Sequence, residues 1–243
     1  MSLWFLLLIG AVSIVAGATA SVVGFGIGSL ITPVLAWRFG PGVAVAAVAL
    51  PHFAGSVIRG WRLRQFIDRE LLLRFGVLSA TGGLIGALAF ARFAPDVLGR
   101  VLGALLLLTA AAGITEWSKR WKPRGAVIWI LGALSGFFGG VVGNQGGLRA
   151  AALATFDLRP AVFVATSTVV GVVIDLVRSP IYLARTASDL IAIWQLIVIA
   201  VCGVVAGTLF GERLLFGMST ERFRRIVSIA IGFLGIWFLL HPG

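Results

Sequence analysis

Long apolar runs alternate with short basic clusters along the chain. Apolar stretches near 3–22, 42–58, 71–91, 97–115, 126–142, 161–177, 190–210 and 224–240 are each long enough to cross, or nearly cross, a hydrocarbon core about 30 Å thick. Two shorter apolar stretches, 27–37 and 146–157, lie between the first and second runs and between the fifth and sixth. All are predicted to be helices, because an open strand leaves its backbone groups unsatisfied in lipid. At two places a glycine cluster separates a long run from a short one: Gly24-Phe25-Gly26-Ile27-Gly28 and Gly143-Asn144-Gln145-Gly146-Gly147.

These two places correspond. Shifting 17–59 by 119 residues onto 136–178 pairs Gly17 with Gly136, Gly24 with Gly143, Gly28 with Gly147, Pro41 with Pro160 and Arg59 with Arg178. Ten of 43 positions are identical, against roughly four expected for so narrow a composition. The chain reads as one membrane domain, 1–243, made of a first repeat, 1–118, and a second, 119–243. Interrupted hydrophobic segments at matching points of two halves point to the substrate site of a transporter.

Composition supports the membrane reading: 59% of residues are hydrophobic, 12% are charged and the mean hydropathy is +1.06. A soluble domain of 243 residues cannot hide that much apolar surface. The net charge of +11 would suit nucleic acid, but the basic residues sit in short clusters between apolar runs, so they report topology and no nucleic-acid partner is expected. A single cysteine, Cys202, leaves no internal disulfide and reads as a small packing residue, and two histidines make no metal cluster. No nucleotide-binding motif is present, so no cofactor is expected and any driving force comes from gradients. Residues 1–20 mimic a signal peptide ending in Ala18-Thr19-Ala20, yet lack a basic start. Gly17 matches Gly136, so this segment reads as a helix of the mature fold.

The basic residues also discriminate between two topologies. If 27–37 and 146–157 were extramembrane loops, eight spans with the N-terminus outside would divide Lys and Arg nine inside against eleven outside. If instead each glycine break turns the chain back into a hairpin, fourteen fall inside, among them Arg59, Arg62, Arg64, Arg69 and Arg74. Arg38, Arg92, Arg100, Arg178 and Arg185 stay outside, and Arg149 lies within the second hairpin. The positive-inside rule selects the hairpins. Each repeat is then a hairpin plus three crossings, an odd number, so the repeats enter from opposite faces and are inverted. The expected fold is an all-α polytopic membrane protein whose two breaks meet near the bilayer centre. Trp61, Trp117, Trp121 and Trp194 fall near span ends, as interfacial anchors or lipid-facing bulk.

A helix that begins in mid-membrane presents unpaired N–H groups and the positive end of its dipole, and both attract an anion. The second break adds amide donors from Asn144 and Gln145 beside Gly146 and Gly147, with Arg149 about one turn into the short helix. The first offers Gly24, Gly26 and Gly28 with the hydroxyls of Ser29 and Thr32, and Pro33 shapes the helix. The glycines could equally serve close helix packing. Arg149 is the sharper signal, since a charge at a helix centre costs about 2.5–3.5 kcal/mol on insertion scales. The following helix carries Thr168, Gly171, Asp175 and Arg178 on one stripe, opposite first-repeat counterparts Ala49, His52, Ser56 and Arg59. Asp175 and Arg178 can form an ion pair near the membrane edge, or Asp175 or His52 can exchange a coupled proton. His52, following Pro51, is expected to bond a freed carbonyl. Thr166, Ser167 and Thr168 either line the cavity or bond back to their own helix.

On these glycine segments, with Pro33 after the first, the chain resembles the TauE/SafE sulfite exporter family, also called the toluene-sulfonate uptake permease family. The resemblance covers nearly the whole chain in size, hydropathy and spacing. It implies a bacterial inner-membrane carrier of small sulfur-containing anions such as sulfite, sulfoacetate or other organosulfonates, and not an enzyme. The chain departs from the usual second motif in having Asn144-Gln145, Arg149 and, where a proline would fall, Ala152. The rival readings are an anion channel and an intramembrane hydrolase, the latter from Ala133-Leu134-Ser135-Gly136, which lacks the first glycine of a Gly-x-Ser-Gly nucleophile signature.

Overall fold

The computed structural model describes residues 2–90, 92–115, 124–143, 146–153, 156, 158–214 and 220–242, and over these the protein is helical. The chain runs through α1 (Leu3–Val23), α2 (Ile27–Arg62), α3 (Arg69–Phe90) and α4 (Pro95–Thr115). It continues through α5 (Ala126–Val142), the short α6 (Gly146–Leu153), α7 (Pro160–Ala192), α8 (Trp194–Leu214) and α9 (Thr220–Leu240). Among the described residues, α1, α2, α3, α4, α7 and α8 contain the six segments long and apolar enough to cross a membrane. α5 and Arg225–Leu240 of α9 are shorter apolar helices.

Both glycine breaks use the same stop. α1 ends on Gly24 (φ 88°), whose N–H donates to the Ala20 carbonyl, and α5 ends on Gly143 (φ 71°), whose N–H donates to the Gly139 carbonyl. These are left-handed C-caps that glycine reaches without a Cβ penalty. The stretches 27–37 and 42–58, expected as separate helices, are joined through the single non-helical residue Gly40 (φ 78°), and the helix runs on to Arg62. Pro41 begins its second part, where a missing N–H costs nothing. α7 likewise passes beyond its expected end, through Pro180 and a kink at Thr186, to Ala192. α6 is described over Gly146–Leu153, and residues 154, 155 and 157 of its expected span lie outside the described residues.

Helices in lipid gain nothing from apolar burial against each other, so close backbone approach carries the packing. Glycine provides it here. A Cβ on Gly136 would lie 1.9 Å from the Ser79 carbonyl oxygen, and one on Gly82 or Gly86 would lie 2.1 Å from the carbonyl of Ala133 or Phe137. α3 and α5 therefore run parallel, with contacts advancing together along both. α1 and α8 repeat the arrangement: Gly17 meets the Val204 carbonyl, Gly207 that of Ile14, and Gly211 the backbone of Ala18. α2 and α7 run antiparallel, since Arg59 reaches Thr168 and His52 reaches Asp175. α4 and α9 also pack antiparallel, Gly103 meeting the Gly235 carbonyl and Gly99 the Pro242 carbonyl. Exchanging α1 with α5, α2 with α7, α3 with α8 and α4 with α9 carries this set of pairings onto itself. Trp61 and Trp194 are exposed, while Trp117 and Trp121 lie outside the described residues.

Gly136→Ala is expected to overpack the α3–α5 seam at a cost of about 1–3 kcal/mol, lowering the apparent melting temperature of detergent-solubilised protein. Gly10→Ala, whose new Cβ meets nothing closer than 3.5 Å, is the control and should not lower it. Equal melting of Gly136→Ala and the unmodified protein would contradict the seam.

Candidate functional site

The two breaks touch. A Cβ on Gly146 would lie 2.5 Å from that of Phe25, and one on Gly143 would lie 3.5 Å from Thr32 Oγ1 and 3.7 Å from Arg178 Nη1. Between them is a cavity of about 10 Å³, walled by Phe25, Gly26, Gly28 and Ser29 on one side, Gly143, Gly146 and Arg149 on the other, with His52. That is about the room one water centre requires. The N-terminal turns of α2 and α6 both open onto it. Gly26, the N-cap of α2, offers no side-chain acceptor to the first turn of that helix.

Charge converges on the same place. Arg149 is 1% exposed; its Nε donates to Ser167 Oγ at 2.9 Å, and among the described residues its Nη1 has no hydrogen-bond partner. Arg178 is fully buried, with Nε donating to Asp175 Oδ1 at 2.9 Å and Nη2 lying 2.8 Å from the same oxygen. Its Nη1 donates to the Gly139 carbonyl, and the Tyr182 hydroxyl donates to the Gly140 carbonyl. Cation and phenol together hold the last turn of α5, where free carbonyls and the negative dipole end want donors. Asp175 uses its other oxygen on His52 Nδ1, at 2.5 Å. Arg59, 4% exposed, donates from Nε to Thr168 Oγ1 at 2.7 Å. Among the described residues the fully or nearly fully buried formal charges are thus three guanidiniums and one carboxylate, an excess of two positive charges with His52 neutral.

Several sequence expectations need correcting. His52 does not bond a freed carbonyl; it binds Asp175 across 123 residues of sequence, because the antiparallel α2–α7 contact sets the two face to face. The Asp175–Arg178 pair forms, and both groups are fully buried within the protein. Arg59, counted among the inside charges, is buried too. Setting both arginines aside leaves thirteen basic residues inside against four outside (14 − 1 and 5 − 1), so the bias survives. Thr168 does not line the cavity; it accepts from Arg59, as Ser167 accepts from Arg149 and Thr166 accepts the Asp68 N–H at 3.0 Å. Thr32 is buried beside Gly143, with no partner for its hydroxyl among the described residues. Gly147 lies in α6. Asn144 and Gln145 lie outside the described residues. Ser135 is buried on α5 one residue before Gly136, while His52 binds Asp175 and His241 stacks on Trp237.

Sequence reasoning missed Tyr182 and the burial of Arg59. Both left a trace. Tyr182 is the chain's one tyrosine and stands four residues after Arg178, and Arg59 aligns with Arg178 in the repeat.

The sequence model of one family, described as Sulfite exporter TauE/SafE, matches residues 9–238, a range that takes in both breaks and every buried charge named above. Comparisons with curated proteins and with solved structures find no match.

Asp175→Asn removes the buried acid that faces both His52 and Arg178. Breaking a buried pair in this way costs about 3–5 kcal/mol, so the variant should lose most of the protein that survives mild heating in detergent. Adding Arg178→Met should recover part of it. Full heat survival of Asp175→Asn alone would show that the carboxylate is not the counter-ion of this cluster.

Proposed function

The chain belongs to the sulfite exporter TauE/SafE family and is a multi-pass membrane transporter, and from that premise we propose that it carries small oxyanions by alternating access, bound where the two helix breaks meet. The substrate class is sulfur-containing: sulfite, sulfoacetate or related organosulfonates. One observation carries the reading, the excess of buried guanidinium charge beside a cavity onto which two helix N-termini open. Unpaired buried charge costs several kcal/mol per ion, and an anion between Arg149 and the positive ends of the two helix dipoles offsets that cost while a cation adds to it.

The helix pairings support inverted repeats. Parallel α3–α5 and α1–α8, with antiparallel α2–α7 and α4–α9, are what two copies related by an axis in the membrane plane give. The basic residues favour a bacterial inner membrane with the N-terminus in the periplasm. A cavity of about 10 Å³ holds no sulfonate, so loading requires the breaks to part, which suits a carrier better than an open pore. His52 and Asp175 sit on the two helices that must separate, and a proton gained or lost by this pair is the proposed coupling step.

In vesicles containing the purified protein, Arg149→Ala should abolish uptake of labelled sulfite and sulfoacetate and Arg149→Lys should restore only part, because a point charge cannot replace the guanidinium fork. Unchanged uptake by Arg149→Ala would remove the proposed cradle, and a panel including sulfate and carboxylates assigns the substrate. His52→Gln keeps an N–H donor for Asp175 but cannot titrate. It should erase the dependence of flux on a pH gradient, and persistence of that dependence would exclude His52 from coupling.

A further inference from the structure

A second polar cavity, of about 150 Å³, lies where α1, α2 and α8 converge, lined by Ser21, Arg59, Arg62, Leu63 and Thr208. Its volume is roughly ten times what one water centre needs. Arg59 and Thr208, 4% and 3% exposed, both line it. Arg62 adds a second guanidinium, held loosely by the Thr208 and Leu209 carbonyls at 3.5 Å. Ser21 donates to the Gly17 or the Thr208 carbonyl, each at 3.1 Å, and keeps its lone pairs. Among the described residues no acidic side chain lines the cavity.

We propose that this cavity is a second oxyanion site, a vestibule in which a small sulfur or phosphorus oxyanion bridges Arg59, Arg62 and Thr208 before or after it occupies the central site. Two guanidiniums with hydroxyls beside them match the several acceptor oxygens of such an ion, and no carboxylate among the described residues of the lining competes for them. The place of the cavity gives the order. Arg59 lines the vestibule and donates from Nε to Thr168 on the α7 stripe, while the adjacent Ser167 is bound by Arg149. The vestibule role rests on the transport reading above and lies on the face that the basic residues assign to the cytoplasm; the site itself does not need that reading.

Equilibrium binding of labelled sulfite and of labelled sulfate to the full chain in nanodiscs tests this. Two sites per chain are expected for at least one of the two ions. Thr208→Val with Arg62→Gln should leave one site, the other weakened about 10- to 100-fold. Arg149→Ala should also leave one, and the combined variant none. Since the Thr208 hydroxyl has no partner among the described residues, Thr208→Val alone should not reduce thermal stability, which separates lost binding from lost fold. One site in the unmodified protein, no binding of either ion, or two undiminished sites in Thr208→Val/Arg62→Gln each overturns the proposal. Transport that survives Arg149→Ala while the vestibule variant still loses a site would overturn the central-site reading and leave the vestibule standing.

Discussion

Positive charge that lacks a protein counter-ion is the constraint on which this molecule turns. Arg59, Arg149 and Arg178 are buried in a bundle whose outer surface is hydrocarbon, and Asp175 is the buried carboxylate that faces them among the described residues. Asp175 is already divided between Arg178 and His52. Arg178 is further absorbed by the end of α5 through the Gly139 carbonyl. Among the described residues the acceptors of Arg59 and Arg149 are hydroxyls, from Thr168 and Ser167. Neutral acceptors satisfy geometry but not charge. A solute that supplies the missing charge stabilises the state that binds it, and this is the physical basis of the anion selectivity proposed above.

α1, α2 and α8 pack together, and so do α3, α5, α6 and α7, while α2 packs against α7 at least as extensively as against α1 or α8. The contacts within these two groups and the contact between them differ in their chemistry. Within each group glycine seams bring backbones into direct contact, and such seams do not slide without breaking that contact. Between the groups runs α2 against α7, and there the described hydrogen bonds are polar: His52 to Asp175 and Arg59 to Thr168. Arg149 to Ser167 and Arg178 to Asp175 stay within one group. Polar contacts can be traded for water or for substrate at small net cost, whereas the glycine contacts cannot. In the proposed transport cycle, rocking one group against the other breaks the contacts that line the proposed site and spares those that hold each group together.

The parts of this arrangement that were legible in the sequence are those set by local chemistry. Gly24 and Gly143 announced the breaks because only glycine takes a left-handed cap there at no cost. The membrane class followed from run lengths, and Arg149 stood out because an unpaired charge in an apolar segment needs a reason. Non-local pairing was not legible. Nothing in a helical stripe says that His52 faces Asp175, since that depends on how α2 crosses α7. Arg59 looked like one more basic residue after a span because charge counting does not see burial. The ends of α2 and α7 were misjudged because hydropathy falls where polar residues such as Arg185 and Asp189 begin, while a helix continues past the lipid as long as its own hydrogen bonds do.

The repeated frame and the unrepeated chemistry make a final point together. At corresponding positions Arg149 faces Leu30, Asp175 faces Ser56 and His52 faces Gly171 in the alignment, whereas Arg59 and Arg178 match. A Cβ on Gly171 would lie 3.3 Å from Arg149 Nη1 and 3.4 Å from His52 Cε1. The space opened by a missing side chain in the second repeat is therefore filled by one side chain from each repeat. Had both halves kept the same polar set, the pseudo-axis would carry two Arg149-like charges facing each other across a cavity of about 10 Å³, a repulsion that no single small anion offsets. Divergence at these three positions leaves one guanidinium, one imidazole and one carboxylate around the breaks. On the proposed reading, duplication supplies a frame that can open to either side, and its asymmetry makes the central site single.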